Sequence, residues 1–316
     1  MTDLDVKSVL LEHYPFKEVL QLSLLKGGVS NNNYVFSNGS QKYVARVCLF
    51  EPDNQINSMI PFLKHAEATN YPAPRLVQAN DGRDYLDNND FPIVVTEYLE
   101  GDSADNISIN IEHVKSLAQL VAGFHKIHWS PPNTPITLDP DYIFNLYDKI
   151  DGFSPNNTDK HLLRLIELVD EYHAKFKQAK FTELAAELPR GITHGDINLG
   201  NVLLHGDSAV SLLDFEELGV SWQLQDIAMI LITWAYPDGK PNTDFIKAFI
   251  DEYELHRPMA QIEKENIVSA MEFIGFRQCL YVKSMISKGN NAIAVENFGS
   301  YWALRHLNEH SLDLSN

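Results

Sequence analysis

Residues 192 to 216 read ITHGDINLGNVLLHGDSAVSLLDFE, a stretch that sets an aspartate, an amide five positions on and a second aspartate thirteen positions beyond that: Asp196, Asn201 and Asp214. NVLL and VSLL are short apolar runs parted by HGDSA, whose glycine and aspartate form turns, so the segment predicts a β-hairpin. If Leu204 pairs with Ser211, Asn201 falls opposite Asp214, because antiparallel neighbours step in opposite directions. Asp196 lies in the loop that feeds the hairpin and can fold back over its open end. Three oxygen-bearing side chains at one mouth suit phosphoryl transfer, where the protein positions a hydroxyl, holds Mg²⁺ and stabilises charge on the moving group. In that chemistry Asp196 accepts the hydroxyl proton. Asn201 and Asp214 hold the metal, since Mg²⁺ takes hard oxygen ligands and completes its shell with water and phosphate. His194 and Gly195 shape the loop.

HGDINLGN followed by LLDFE resembles the HxDxxxxN and DxE signatures of the aminoglycoside phosphotransferase and choline kinase superfamily. The resemblance implies an α+β, two-lobed protein-kinase-like fold: an N-lobe with an antiparallel sheet plus one helix, and a mainly helical C-lobe. It implies ATP as co-substrate and Mg²⁺. GGVSNNNY is similar to the turn that covers the nucleotide's phosphates in such proteins, which points to Ser30 and Asn31 as ATP-binding. Arg46, in YVARV, stands where many relatives have a phosphate-pairing lysine. It keeps the charge but offers a planar fork in place of a point. The expected helix at 54–69 carries no obvious glutamate to pair with it, and Glu51, Asp53 and Glu67 are the nearby acids. The segment through Glu97 and Leu99 is expected to meet the adenine through its backbone. Asp226, in the DIA of SWQLQDIAMILITWAY, resembles the aspartate that braces the catalytic loop, as His194 does from within it.

The elements that must position these residues follow from pattern. Residues 5–22 suggest a short helix broken by Pro15 and running into a strand. Strands are expected at 22–25, 34–36 and 43–48, with SNGS as a hairpin turn, then at 91–98, with short candidates at 75–79 and 83–86. The boundary is expected near residue 100, giving a nucleotide-binding lobe at 1–100 and a lobe at 101–316 with the catalytic loop and acceptor site. Helices are expected at 114–128, 142–150, 161–185 (one or two), 221–236, 243–255, 262–288 and 292–312. His125 and His128 lack carboxylate or cysteine partners at metal spacing and are expected to be packed or on the surface.

Composition narrows the classes. The 316 residues are 44% hydrophobic, ample for a core, and 43 acidic against 25 basic residues give a net charge of −18. Sequence-independent binding to nucleic acid or to an anionic membrane has no electrostatic support. Two cysteines, Cys48 and Cys279, are too few for a disulfide framework. The N-terminal segment is acidic and lacks a long apolar centre, so a cytoplasmic protein is expected. P-loop, HExxH and CxxC patterns do not occur.

The acceptor is expected to be a small molecule, amine-bearing, from the acidic balance and from Glu217 with Trp222 and Trp234. An ammonium can rest on aromatic faces while a carboxylate supplies the opposite charge. GGVSNNNY leans toward choline or ethanolamine kinases, whereas SWQLQDIAMILITWA resembles the kinase-like homoserine kinases, so choline or ethanolamine is expected slightly ahead of homoserine, with an aminoglycoside behind. Protein kinase activity fits less well, because the chain passes within a few residues from DFE to the next element, without room for an activation segment. A non-catalytic nucleotide-binding or scaffolding module is the alternative from another class. The sequence leaves the oligomeric state open.

Overall fold

The computed structural model describes residues 3–25, 31–49, 52–87, 91–129, 139–150, 153, 159–289 and 293–312. The chain divides into two compact units, one built on residues 1–101 with the returning segment Ser211–Glu216, the other on most of the remainder. The fold is α+β: an antiparallel sheet with two helices in the first unit, mostly helices in the second.

In the first unit α1 (Asp3–His13) leads into β1 (Leu20–Leu24), β2 (Asn31–Asn38) and β3 (Gln41–Cys48), then α2 (Pro52–Thr69) and β4 (Ile93–Glu97). The sheet is antiparallel in the order β1-β2-β3-β4. Its central hairpin closes where Asn38 pairs with Gln41, and Gly39 takes φ +64°, a left-handed value that glycine adopts without strain. Alternation along β3 sends Tyr43, Ala45 and Val47 into a core with Tyr34, Phe36, Phe16 and Ile93. Arg46, of opposite parity, faces the other side of the sheet beside its register partner Asn33. Phe36 is wholly buried, so Phe36→Ala would cost about 3–5 kcal/mol. The expected short strands around residues 76 and 86 are single bridges, Leu76 to Thr96 and Leu86 to Ile93.

The second unit opens with β5 (Asp102–Ser103) and α3 (Ile111–His125), whose Asn110 cap accepts from the His113 N–H. Then come α4 (Pro140–Ile150), α5 (Lys160–Gln178), α6 (Phe181–Glu187) and β6 (Arg190–Thr193). The expected hairpin follows as β7 (Val202–His205) and β8 (Ser208–Leu212), in a small sheet ordered β5-β7-β8. β9 (Gly219–Trp222) pairs with β6, and α7 (Leu224–Trp234), α8 (Thr243–His256), α9 (Gln261–Glu265), α10 (Ile267–Ser287) and α11 (Gly299–Glu309) complete the chain. Two expectations are corrected. The helix expected over 221–236 starts only at Leu224, because Ser221 and Trp222 belong to β9; a short apolar run does not distinguish strand from helix by periodicity alone. The helix expected over 262–288 breaks at Asn266, whose side-chain amide donates to the Ile262 carbonyl. An aromatic cluster of Phe144, Phe176, Phe181, Trp222, Phe273 and Phe276 fills the helical core. No described helix is long and apolar enough to cross a membrane.

Candidate active site

The catalytic loop runs from β6 to β7, and its shape is set by one buried carboxylate. Asp226, at the first turn of α7, accepts from the backbone N–H groups of His194 at 2.7 Å and Gly195 at 2.9 Å, and from His125 Nε2 at 3.1 Å. Burial alone would push this carboxyl up; the hydrogen bond and charge of His125, with His194, outweigh it and hold it below the ordinary range. Gly195 has φ +88°, a conformation a side chain would strain, and its carbonyl accepts from Arg277 Nη2 at 2.6 Å. The loop is thus held through both the N–H and the carbonyl of one residue. Asp226 meets the His194 backbone and His125 together, and His125 is tied also to the Tyr253 hydroxyl at 2.6 Å.

Asp196 follows directly. Its Oδ2 accepts from Asn198 Nδ2 at 2.9 Å and from Asn201 Nδ2 at 3.0 Å, while Asn201 Nδ2 also lies 2.9 Å from the Asp196 carbonyl. These amides fix the carboxylate's orientation. Because Asn201 uses its N–H₂ on Asp196, its amide oxygen is the end left for a cation. Ser103 Oγ and the Asn198 side chain secure the Gly200 peptide, which keeps the turn into β7 tight.

In the first unit the DFE segment meets β2 and β3. Arg46 Nη1 and Nη2 both lie 2.9 Å from Asp214 Oδ1, Nη1 lies 2.8 Å from Glu216 Oε1, and Nε donates to Asn33 Oδ1 at 3.1 Å. Arg46 therefore finds its acidic partners in Asp214 and Glu216, not in α2 or the acids just before it. Asn31 spends both ends of its amide locally, accepting from the Leu49 N–H and donating to Glu216 Oε1. Glu216 is pushed up to about 8, because burial and then the adjacent Asp214 outweigh Arg46. Asp214 itself sits at φ +65°. Glu97 ends β4, where its N–H donates to the Arg75 carbonyl, and Leu99 follows the strand. Ser30 and the GGVS turn lie outside the described residues.

Two of the acceptor candidates are corrected by burial. Trp222 is 0% exposed and packs edge-on against Phe181 and Phe273, and Trp234 is 4% exposed within α7. Both are core residues, the usual end for an aromatic in an apolar run. Glu217 is different, with 36% of its side chain exposed, and its Oε2 lies 3.9 Å from Arg277 Nη2. Arg277 is the site residue that the sequence reading missed. Its signal was available, since it is the lone cation in the apolar stretch FIGFRQCLYV.

The residues expected to hold Mg²⁺ suit it chemically. Asn201 offers an amide oxygen, and Asp214 already carries a cation, the Arg46 guanidinium, on Oδ1. Among the described residues no group of three His, Cys, Asp or Glu side chains could hold a metal alone, so water and phosphate would have to supply the other ligands. Both cysteines are buried, and burial pushes the Cys48 thiol up to about 11.

A carboxylate in an amide-fixed loop, set in this fold, defines a kinase-like phosphotransferase. Residues 21–262 match the phosphotransferase enzyme family known as APH, and the chain belongs to it. It is a small-molecule kinase with an alcohol group as acceptor. A homoserine kinase of Methylobacillus glycogenes is 24% identical over 276 residues, covering 84% of this chain and 80% of that one. A homoserine kinase of Zymomonas mobilis is 26% identical over 275 residues, with the same coverage. Among solved structures, a microcompartment-associated aminopropanol kinase superposes with a TM-score of 0.69 at 20% identity, covering 99% of this chain and 100% of its own. The choline kinase of Streptococcus pneumoniae gives 0.66 at 14%, covering 98% and 99%.

Proposed function

We propose that this kinase transfers the γ-phosphoryl group of ATP to the hydroxyl of a small, amine-bearing alcohol, with Asp196 as general base. The observation that carries the reading is the pair of amide N–H groups that fix Asp196 Oδ2 on a braced loop, a carboxylate aimed by construction. The acceptor oxygen forms its bond to the γ-phosphorus as its proton passes to Asp196, and the bond to the bridging oxygen breaks to release ADP. Such a base contributes roughly 10²–10⁴-fold. Mg²⁺ on Asn201 and Asp214 would offset the negative charge of the phosphates. Arg46 serves the nucleotide side by neutralising Asp214 and Glu216, and Ser30, Asn31 and the backbone at Glu97 and Leu99 are assigned to the nucleotide by resemblance.

Within amine-bearing alcohols, homoserine moves ahead of choline. The tryptophans that would have cushioned a quaternary ammonium are in the core, and curated relatives over four-fifths of the chain are homoserine kinases. The aminopropanol kinase likeness keeps a simple amino alcohol as the second reading. A coupled assay of ADP release across homoserine, aminopropanol, choline, ethanolamine, aminoglycosides and neutral sugars tests it. Turnover confined to amines is expected. Strong turnover of a neutral sugar with none for any amine would refute the acceptor class and leave the kinase standing.

A further inference from the structure

We infer that Arg277 is a carboxylate subsite on the acceptor side, and that with Glu217 it recognises the zwitterionic end of a hydroxy amino acid. This rests on the amine-bearing acceptor proposed above and narrows it. Arg277 lies on α10, a helix that also buries Phe273, Ile274, Phe276 and Leu280, and its side chain is 2% exposed. One of its three guanidinium nitrogens is hydrogen-bonded, Nη2 to the Gly195 carbonyl. Among the described residues, Nε and Nη1 have no hydrogen-bond partner. The Glu217 carboxylate, 3.9 Å from Nη2, is too far for a hydrogen bond.

A guanidinium carries five N–H donors and no acceptor, so a buried one with two nitrogens unsatisfied is a positive charge short of partners. Buried polar groups in folded proteins have partners, and an exception asks for one that is absent from the protein itself. Bracing Gly195 does not account for the residue, because a single neutral N–H would hold that carbonyl at no charge-burial cost. An anion on the bound acceptor does account for it. Gly195 directly precedes Asp196, so a carboxylate on Arg277 tethers the acceptor at the loop that carries the base. Glu217, of opposite charge and half-exposed beside the arginine, complements the ammonium of the same molecule. A cation and an anion 3.9 Å apart, within ion-pair reach but beyond hydrogen-bond distance, match the two charges on one α-carbon. The hydroxyl then lies at the far end of a short chain, free to reach Asp196.

The test uses three acceptors with the intact enzyme: homoserine, its decarboxylated counterpart aminopropanol, and its deaminated counterpart hydroxybutanoate. Initial rates of ADP release should give homoserine a kcat/KM at least about tenfold above aminopropanol, as expected for one charge-assisted contact. Arg277→Gln should shrink that preference roughly 10- to 100-fold, mainly through KM for homoserine, and Arg277→Lys should fall between because it restores charge without the fork. Glu217→Gln should weaken homoserine and aminopropanol together and spare hydroxybutanoate. Equal use of homoserine and aminopropanol by the wild type overturns the subsite, and so does an Arg277→Gln enzyme whose kcat falls equally for both. The wild-type panel decides the matter even if the variant does not fold. Turnover of hydroxybutanoate without aminopropanol upholds the subsite while the amine reading falls; aminopropanol alone does the reverse; no turnover of any of the three overturns both.

Discussion

Each unit of the protein buries a carboxylate of functional weight, and the two are held in opposite ways. In the second unit Asp226 accepts from two backbone N–H groups and a histidine, donors fixed by the chain itself, and its carboxyl is pulled below the ordinary range in spite of complete burial. In the first unit Glu216 shares one arginine with Asp214, and its carboxyl rises to about 8. Burial is common to both, so the neighbours decide the direction: donors favour the charged form, and a second acid disfavours it. The comparison teaches that the loop carrying Asp196 is preorganised, whereas the acids of the DFE segment rely on a long side chain to offset their charge.

Removing the base should have the largest effect. Asp196→Ala is expected to lower kcat by about 10²–10⁴-fold while ATP affinity, measured by titration calorimetry, stays near wild type. Unchanged turnover would end its assignment. Asp214→Ala should fail on the other side of the comparison, weakening Mg-ATP binding and raising the Mg²⁺ requirement. Wild-type Mg-ATP affinity in that variant would count against a metal role.

Asp226→Asn tests the braced unit. The amide cannot accept as strongly from both backbone N–H groups, and about 1–3 kcal/mol of stability should be lost, read as a fall in the denaturation midpoint. The pH dependence has a definite sign. A carboxyl depressed in the folded state contributes stability that is present above its unfolded value, near 4, and lost as pH falls through the lower folded value. The variant's unfolding curve should therefore be flatter on the acid side, and an acid limb as steep as wild type would contradict the brace. The smallest effect is expected from Arg46→Lys, which keeps the charge but loses the fork. It should raise the KM for ATP less than Arg46→Ala does, and identical ATP kinetics in all three proteins would remove Arg46 from the nucleotide side.

What the sequence made legible was local. The loop and hairpin were readable because turn formers and the spacing of Asp196, Asn201 and Asp214 lie within one short stretch. Strands β2 and β3 were readable from alternation. The partners that finish the site come from far along the chain: Arg277 reaches Gly195 across 82 residues and Arg46 reaches Asp214 across 168. Such pairings depend on tertiary packing, which periodicity does not encode. The same limit explains Trp222 and Trp234. Their composition suited an ammonium, but Trp222 lies on a strand covered by Phe181 and Phe273, and its side chain had no way to advertise that in sequence. For His125 the sequence left packed and surface positions both open; the residue is buried, against an aspartate 101 positions away.

The left-handed backbone at Asp214 sets two demands on one residue against each other. At φ +65° glycine would sit with less conformational cost, but it would also leave the Arg46 guanidinium without the carboxylate that both its Nη atoms meet at 2.9 Å. Asp214→Gly should therefore unfold at a lower temperature than the wild type although its backbone is relaxed, which would mark the residue as kept for its charge against the preference of its own backbone.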